Sequence, residues 1–227
     1  MTDLSESTPL TGGQARQVFL KQAESEVRMG FIRKVYGILS VQLLVTVAIA
    51  APFLRMSPAQ VQANSWGLVV ATVVMMCTMC AMCCCTHRLR TFPGNYIFLS
   101  VITVCMGVIV GFTSAMYTWQ SVVLAAGVTV AVFLCLTVYA FTSKTDFTGF
   151  GPYLFTFMMV LCMFGFMLAI LGMCGIQIQW MTMLYDALGV LLFCFYIVYD
   201  TQMIIGGDHK VQFTIDDYAF AALNLYL

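Results

Sequence analysis

The sequence predicts an all-α, polytopic membrane protein, and three observations carry that prediction. Hydrophobic residues make up 61% of the 227-residue chain and charged residues 9%, at a mean hydropathy of +0.93. A soluble domain averages about 45–50% apolar and about 25% charged, a gap that soluble packing does not explain. Six apolar runs have the roughly 17–25 residues that a helix needs to cross the hydrocarbon layer. Tyr or Trp marks many of their ends, as interfacial aromatic belts would. A spanning segment must satisfy its own backbone polar groups in lipid, so such runs read as helices.

Taken in order, residues 1–30 are polar and mixed in charge. They are expected to form a disordered cytosolic tail that runs into an amphipathic approach near Arg33 and Lys34. No basic stretch leads into a short apolar core, so a cleaved signal peptide is not expected. Thr2 stands where N-myristoylation would need glycine. The membrane domain then occupies residues 31–227. Its six spans are expected at Val35–Leu54, Trp66–Cys85, Tyr96–Tyr117, Ser121–Tyr139, Tyr153–Leu171 and Met183–Tyr199. Pro58, Pro93 and Pro152 fall in the connections, where proline interrupts no helix. A seventh segment, Tyr218–Leu227, rises only about 15 Å, half a bilayer. It is expected to be either a half-helix or a helix only begun in this chain.

Orientation follows from the ten Lys and Arg. The tail holds Arg16, Lys21, Arg28, Arg33 and Lys34, and the connections on its side add Arg88, Arg90, Lys144 and Lys210. Only Arg55 lies opposite. The positive-inside rule therefore predicts a cytosolic amino terminus.

Several function classes find little support. Net charge is zero and the basic residues are dispersed, so nucleic acid is not an expected partner. The cysteines lie within or at the ends of apolar runs, without histidine at zinc-ligand spacing; small intramembrane hydrophobes are the simpler explanation. Cys83, Cys84 and Cys85, beside His87, Arg88 and Arg90, also suit S-palmitoylation. Neither P-loop, GxGxxG, HExxH nor GxSxG occurs, so an enzyme is not expected. No cofactor is expected beyond calcium as a permeant or regulatory ion.

Acids at membrane depth are costly and call for a functional explanation. Asp186 and Asp200 are fourteen residues apart on one predicted helix. Ideal geometry sets them about 40° apart around the axis and about 21 Å along it. Both can then face one internal path, or Asp186 can simply cap the helix and Asp200 end it in solvent. Asp216 and Asp217 open the last segment, where carboxylates favour a helix amino terminus. Asp217 and Asn224, seven apart, share a face. Hard cations such as calcium take several oxygen ligands, and Asp200 with Asp216 would offer a transient calcium site. Arg88 and Arg90 end the second span on the side of Asp200, where either can latch a carboxylate bidentately or merely anchor the helix.

These residues carry a resemblance. YIVYDTQMIIGG followed by DDYAFAALNLYL resembles the signature of the transmembrane Bax inhibitor motif family. EVRMGFIRKVYGILSVQLLVTVAIA is similar to the family's entry to its first helix, and RLRTFPGNYIFLSVITVCMG to its second-to-third junction. Together these motifs sample most of residues 25–227 in the family's order, closest to the Lifeguard and Golgi anti-apoptotic branch. The resemblance implies six helices around a central seventh, a calcium leak from internal stores, and suppression of cell death. It implies that Asp200 is the first acid of a proton-sensing pair whose second would follow Leu227. It also matches Asp216 to an acidic position implicated in conduction, and Arg88 or Arg90 to a basic latch. The expected function is a pH-sensitive calcium leak channel of the Golgi or endoplasmic reticulum. The alternative is a non-conducting regulator that acts through other membrane proteins of death or calcium-release pathways. A secondary transporter would favour inverted repeats or paired broken helices, which the sequence does not display.

Overall fold

The first helix, α1 (Gly12–Ala50), runs for 39 residues without a break. The protein is described here by a computed structural model covering residues 12–84, 93–176, 178–206, 211–214 and 217–227, without the side chains of residues 12–23 and Cys83. At 1.5 Å per residue α1 is about 58 Å long, nearly twice the hydrocarbon thickness. Residues 12–30, expected to be part of a disordered tail, are therefore its opening turns. Their Gln, Ala, Arg, Lys and Glu are strong helix formers uninterrupted by proline. Polarity kept them out of the expected span, but it does not oppose helix.

A 3-10 turn at Ala51–Arg55, with Pro52 in its first turn, ends α1. The short α2 (Pro58–Ala63) follows, with Ser57 in a reciprocal capping box with Gln60. Then come α3 (Ser65–Cys84), α4 (Gly94–Ser114) and α5 (Trp119–Thr142), the last capped by the Thr118 side chain. A 3-10 turn at Thr148–Phe150 leads into α6 (Gly151–Met173), with Pro152 in its first turn. The chain closes with α7 (Gln179–Ile205) and α8 (Tyr218–Tyr226). Among the described residues, six helices are long and apolar enough to cross a membrane. They correspond to the six expected spans. The largest shift after α1 is in α7, which runs past Tyr199 to Ile205 and so takes Asp200, Thr201 and Gln202 into the helix.

The short α8 is the centre of the bundle. It packs against α1, α4 and α7, while α3 backs α4, and α5 and α6 back α7. Ala219, Ala221, Ala222 and Leu223 of α8 are buried. Ala221 and Ala222 join Phe31, Val35 and Ile204 in one core cluster, and Leu223 joins Phe98, Leu99 and Ile102 in another. Three alanines let neighbouring backbones come close, as small residues do between membrane helices. The pair Gly107 and Gly111, four apart on α4, serves the same end. A Cβ at Gly107 would lie 2.9 Å from Ile49, and one at Gly111 would lie 2.6 Å from the Phe53 ring. Large apolar side chains cover the outside instead, among them Leu44, Val47, Leu124 and Phe166, as lipid contact requires.

Candidate functional site at the end of the seventh helix

Among the described residues, the last turns of α7 are the most polar buried stretch of the bundle. Asp200 is 6% exposed, and Thr201 and Gln202 are fully buried. Asp200 is thus an interior residue and not a solvated helix end. It lines a cavity of about 300 Å³ between α1, α5, α7 and α8, together with Leu39, Leu43, Phe133, Tyr196 and Asn224. Tyr226 of α8 lines the same space, and its hydroxyl lies 2.6 Å from Thr46 Oγ1 of α1. Burying a carboxyl group costs heavily, so its position facing a cavity marks the site.

Gln202, two residues on, fixes the α5–α6 connection. Its Oε1 accepts from the Phe147 backbone N–H at 2.7 Å, and its Nε2 donates to the Thr145 carbonyl at 2.9 Å. Next to these, the Thr148 hydroxyl donates to Asp146 Oδ1 at 2.6 Å and accepts from the Val211 N–H at 3.2 Å. One amide side chain and one threonine therefore tie the connection to the end of α7 and to the segment beyond it.

Arg28 of α1 ties down the other side. Its Nε donates to the Ile205 carbonyl at 2.9 Å, Nη1 to Phe213 at 2.9 Å and Nη2 to Met203 at 3.0 Å. The last carbonyls of a helix lack intrahelical partners and form the negative end of its dipole. A guanidinium, with its fixed fork of donors, answers both needs. The chain turns away at Gly206, with φ +62°, where a Cβ would collide with the Arg28 guanidinium. Here glycine is required twice over, by backbone conformation and by space.

Other sequence-predicted residues fall as follows. Asp186 is exposed and does not line the Asp200 cavity. Nor does it cap α7, whose first flanking residue is Ile178. The two acids of α7 therefore do not line one cavity: the helix is exposed at Asp186 and packed over at Asp200. Asn224 does meet Asp200 across the cavity. Asp217 precedes α8, but its carboxylate accepts from the Thr214 hydroxyl at 2.6 Å instead of the first-turn amides. Cys84, the last residue of α3, is exposed. Asp216, Arg88, Arg90, Cys85 and the Cys83 side chain lie outside the described residues.

Two residues escaped the sequence reading of the site. Arg28 counted only toward orientation, although an arginine inside EVRMGF at the edge of a span is a signal for a buried partner. Gln42, a lone amide in an apolar run, is buried and donates to Thr103 Oγ1 of α4 at 3.1 Å.

Comparison with known proteins places this arrangement. The family profile described as "Inhibitor of apoptosis-promoting Bax1" matches residues 28–227. Protein lifeguard 3 of Homo sapiens is 37% identical over 211 residues, covering 89% of this chain and 65% of its own length. Its Mus musculus counterpart is 35% identical over 211 residues, covering 89% of this chain and 66% of its own length. Protein LIFEGUARD 4 of Arabidopsis thaliana is 35% identical over 221 residues, covering 95% of this chain and 86% of its own length. The chain thus spans just under two thirds of the length of the two lifeguard 3 proteins.

Proposed function

The chain belongs to the transmembrane Bax inhibitor motif family, and on that premise we propose that it is a pH-sensitive calcium leak channel of an intracellular membrane, which lowers store calcium and suppresses apoptosis. One observation carries the reading most directly. Asp200, 6% exposed within a membrane helix, faces a cavity that Asn224 of the central α8 also lines. A carboxylate and an amide are the oxygen donors that a hard divalent cation uses in passing. A carboxyl that gains or loses a proton there changes the charge an ion meets, which gives pH a direct grip on passage. Among the described residues, Tyr196 and Tyr199 of its own helix interact electrostatically with it, and Tyr226 of α8 lines the same cavity.

The asymmetry of Lys and Arg supports a cytosolic amino terminus, which would put Asp200 and Arg28 at the cytosolic end. Golgi or endoplasmic reticulum is the proposed membrane. Interaction with other membrane proteins of death or calcium-release pathways belongs to the same proposal.

Calcium efflux from proteoliposomes holding the protein tests it. Flux should vary with pH, and Asp200→Asn should remove that variation while Asp216→Asn lowers the flux itself. Flux indifferent to both substitutions would overturn the channel and leave the reading of a non-conducting regulator that acts through protein partners. That regulator should restrain cell death equally well with Asn at position 200.

A further inference from the structure

A groove of about 450 Å³ runs along the outer side of the bundle between α1 and α4. Lys34, Gly37, Val41 and Val45 line it from α1, and Tyr96 and Val104 from α4. The three valines are exposed, so the groove opens onto lipid and not onto the interior.

Helix packing explains its shape. The two helices run parallel, since Gln42 meets Thr103, Ile49 meets Gly107 and Phe53 meets Gly111. The close contact at Gly107 shuts the groove one turn beyond Val104. At the other end Gly37 holds it open, because a Cβ there would meet nothing within 4 Å. Positions 34, 37, 41 and 45 recur every three or four residues, so a single stripe of α1 forms one wall. Lys34 and Val45 are eleven positions apart, which is about 16 Å along a helix. One leaflet of the hydrocarbon layer is about 15 Å thick, half of the whole.

The two ends of the groove differ in chemistry. Lys34 is the one charged residue among those that line it. Its Nζ lies 4.7 Å from the centre of the Tyr218 ring, and Tyr218 hydrogen-bonds Tyr96. That aromatic pair holds the ammonium at the mouth of the groove. Among the described residues, no carboxylate pairs with Lys34. Deeper in, the polar side chains turn their donors into the protein. The Ser100 hydroxyl donates to the Tyr96 carbonyl and the Thr103 hydroxyl to the Leu99 carbonyl, both at 2.8 Å, and Gln42 Nε2 donates to Thr103 at 3.1 Å. The groove therefore presents one cation at its mouth and hydrocarbon along its length.

We propose that this groove binds one membrane phospholipid of net negative headgroup, its phosphate against Lys34 and one acyl chain along Gly37, Val41 and Val45. The length and apolar walls match one chain in one leaflet, and lipid tails are the solvent onto which the groove opens. The cation at the mouth supplies the selectivity, because a charge-assisted bond to phosphate is a strong one. In a zwitterionic headgroup the phosphate already has a cation of its own. In the orientation proposed above, Lys34 lies at the cytosolic leaflet, which carries anionic lipid. The site is separate from the Asp200 cavity and can be tested whether or not the chain conducts.

Native mass spectrometry of the whole chain, released from nanodiscs of equal parts phosphatidylglycerol and phosphatidylcholine, is the test. The parent chain should retain one lipid and favour phosphatidylglycerol several-fold. Lys34→Gln should abolish that preference and Lys34→Arg should keep it. Arg33→Gln, at an exposed neighbour that does not line the groove, should leave it unchanged. Gly37→Leu and Val104→Phe fill the groove from opposite walls, so each should lower retention of both lipids several-fold. Two such variants keep the test decisive should either one fold poorly. Equal retention of the two lipids by the parent, a preference lost as fully in Arg33→Gln, or retention unchanged in the filled grooves would each overturn the proposal. So would a dimer of this chain that the filled grooves disrupt, since a second copy would then be the occupant.

Discussion

The Nε of Arg28 donates to the Ile205 carbonyl at 2.9 Å, joining the first membrane helix to the last turn of the seventh across 177 positions of sequence. With Met203 and Phe213 also held, this one side chain positions the end of α7 that carries Asp200. Bonds from a charged donor are each worth about 1.5–3 kcal/mol. Arg28→Ala should therefore destabilise the protein by roughly 3 kcal/mol or more, since three carbonyls lose their donor together. Arg28→Lys should recover less than half of that loss, because an ammonium cannot reproduce the planar fork. Thermal unfolding in detergent measures both. A Lys variant as stable as the parent would show that charge alone, and not the fork, holds the helix end.

Gly206 faces the same guanidinium with φ +62°. Gly206→Ala adds backbone strain and drives a Cβ into Arg28, so a loss of about 2 kcal/mol or more is expected. In the Arg28→Ala background the clash with the guanidinium disappears while that with Gln212 Oε1 remains, so the double variant should lose somewhat less than the sum of the two single changes. Additivity in that cycle would mean that the collision does not matter.

Gln202 bonds to Phe147 and Thr145 from within a fully buried position. Gln202→Leu removes a donor and an acceptor and leaves both loop groups unpaired, a cost of about 2–4 kcal/mol. Backbone amide exchange in residues 143–150 should accelerate well before the helices do. Uniform acceleration across α5 and α6 would instead show that Gln202 acts on the whole bundle.

Asn224 is the amide of the central helix that lines the Asp200 cavity. Asn224→Leu should leave the melting temperature nearly unchanged, since the residue is only partly buried, while lowering calcium efflux several-fold. Unchanged efflux would place the ion's route elsewhere.

Part of this architecture was readable residue by residue. Transfer of a segment into lipid depends on that segment's own length and polarity, so six apolar runs name six helices without any knowledge of their neighbours. The resemblance of YIVYDTQMIIGG and DDYAFAALNLYL to a family signature likewise pointed to Asp200, and the match over residues 28–227 bears out the family. The polar residues before the first span were harder to place, because polarity speaks to membrane burial and not to helicity, and α1 begins at Gly12.

What only the tertiary structure decided is which polar groups meet. Asp186 and Asp200 share a helix, yet one is exposed and the other buried, a difference set by the helices packed against α7. The acceptors of Arg28 are backbone carbonyls, which every residue possesses and no residue type announces. Tyr36, Thr137 and Thr201 are unremarkable in their own segments and meet only where three helices converge. Hydrophobicity is a property of a segment, whereas a hydrogen-bond partner is a property of a place, and the place exists only once the helices have packed.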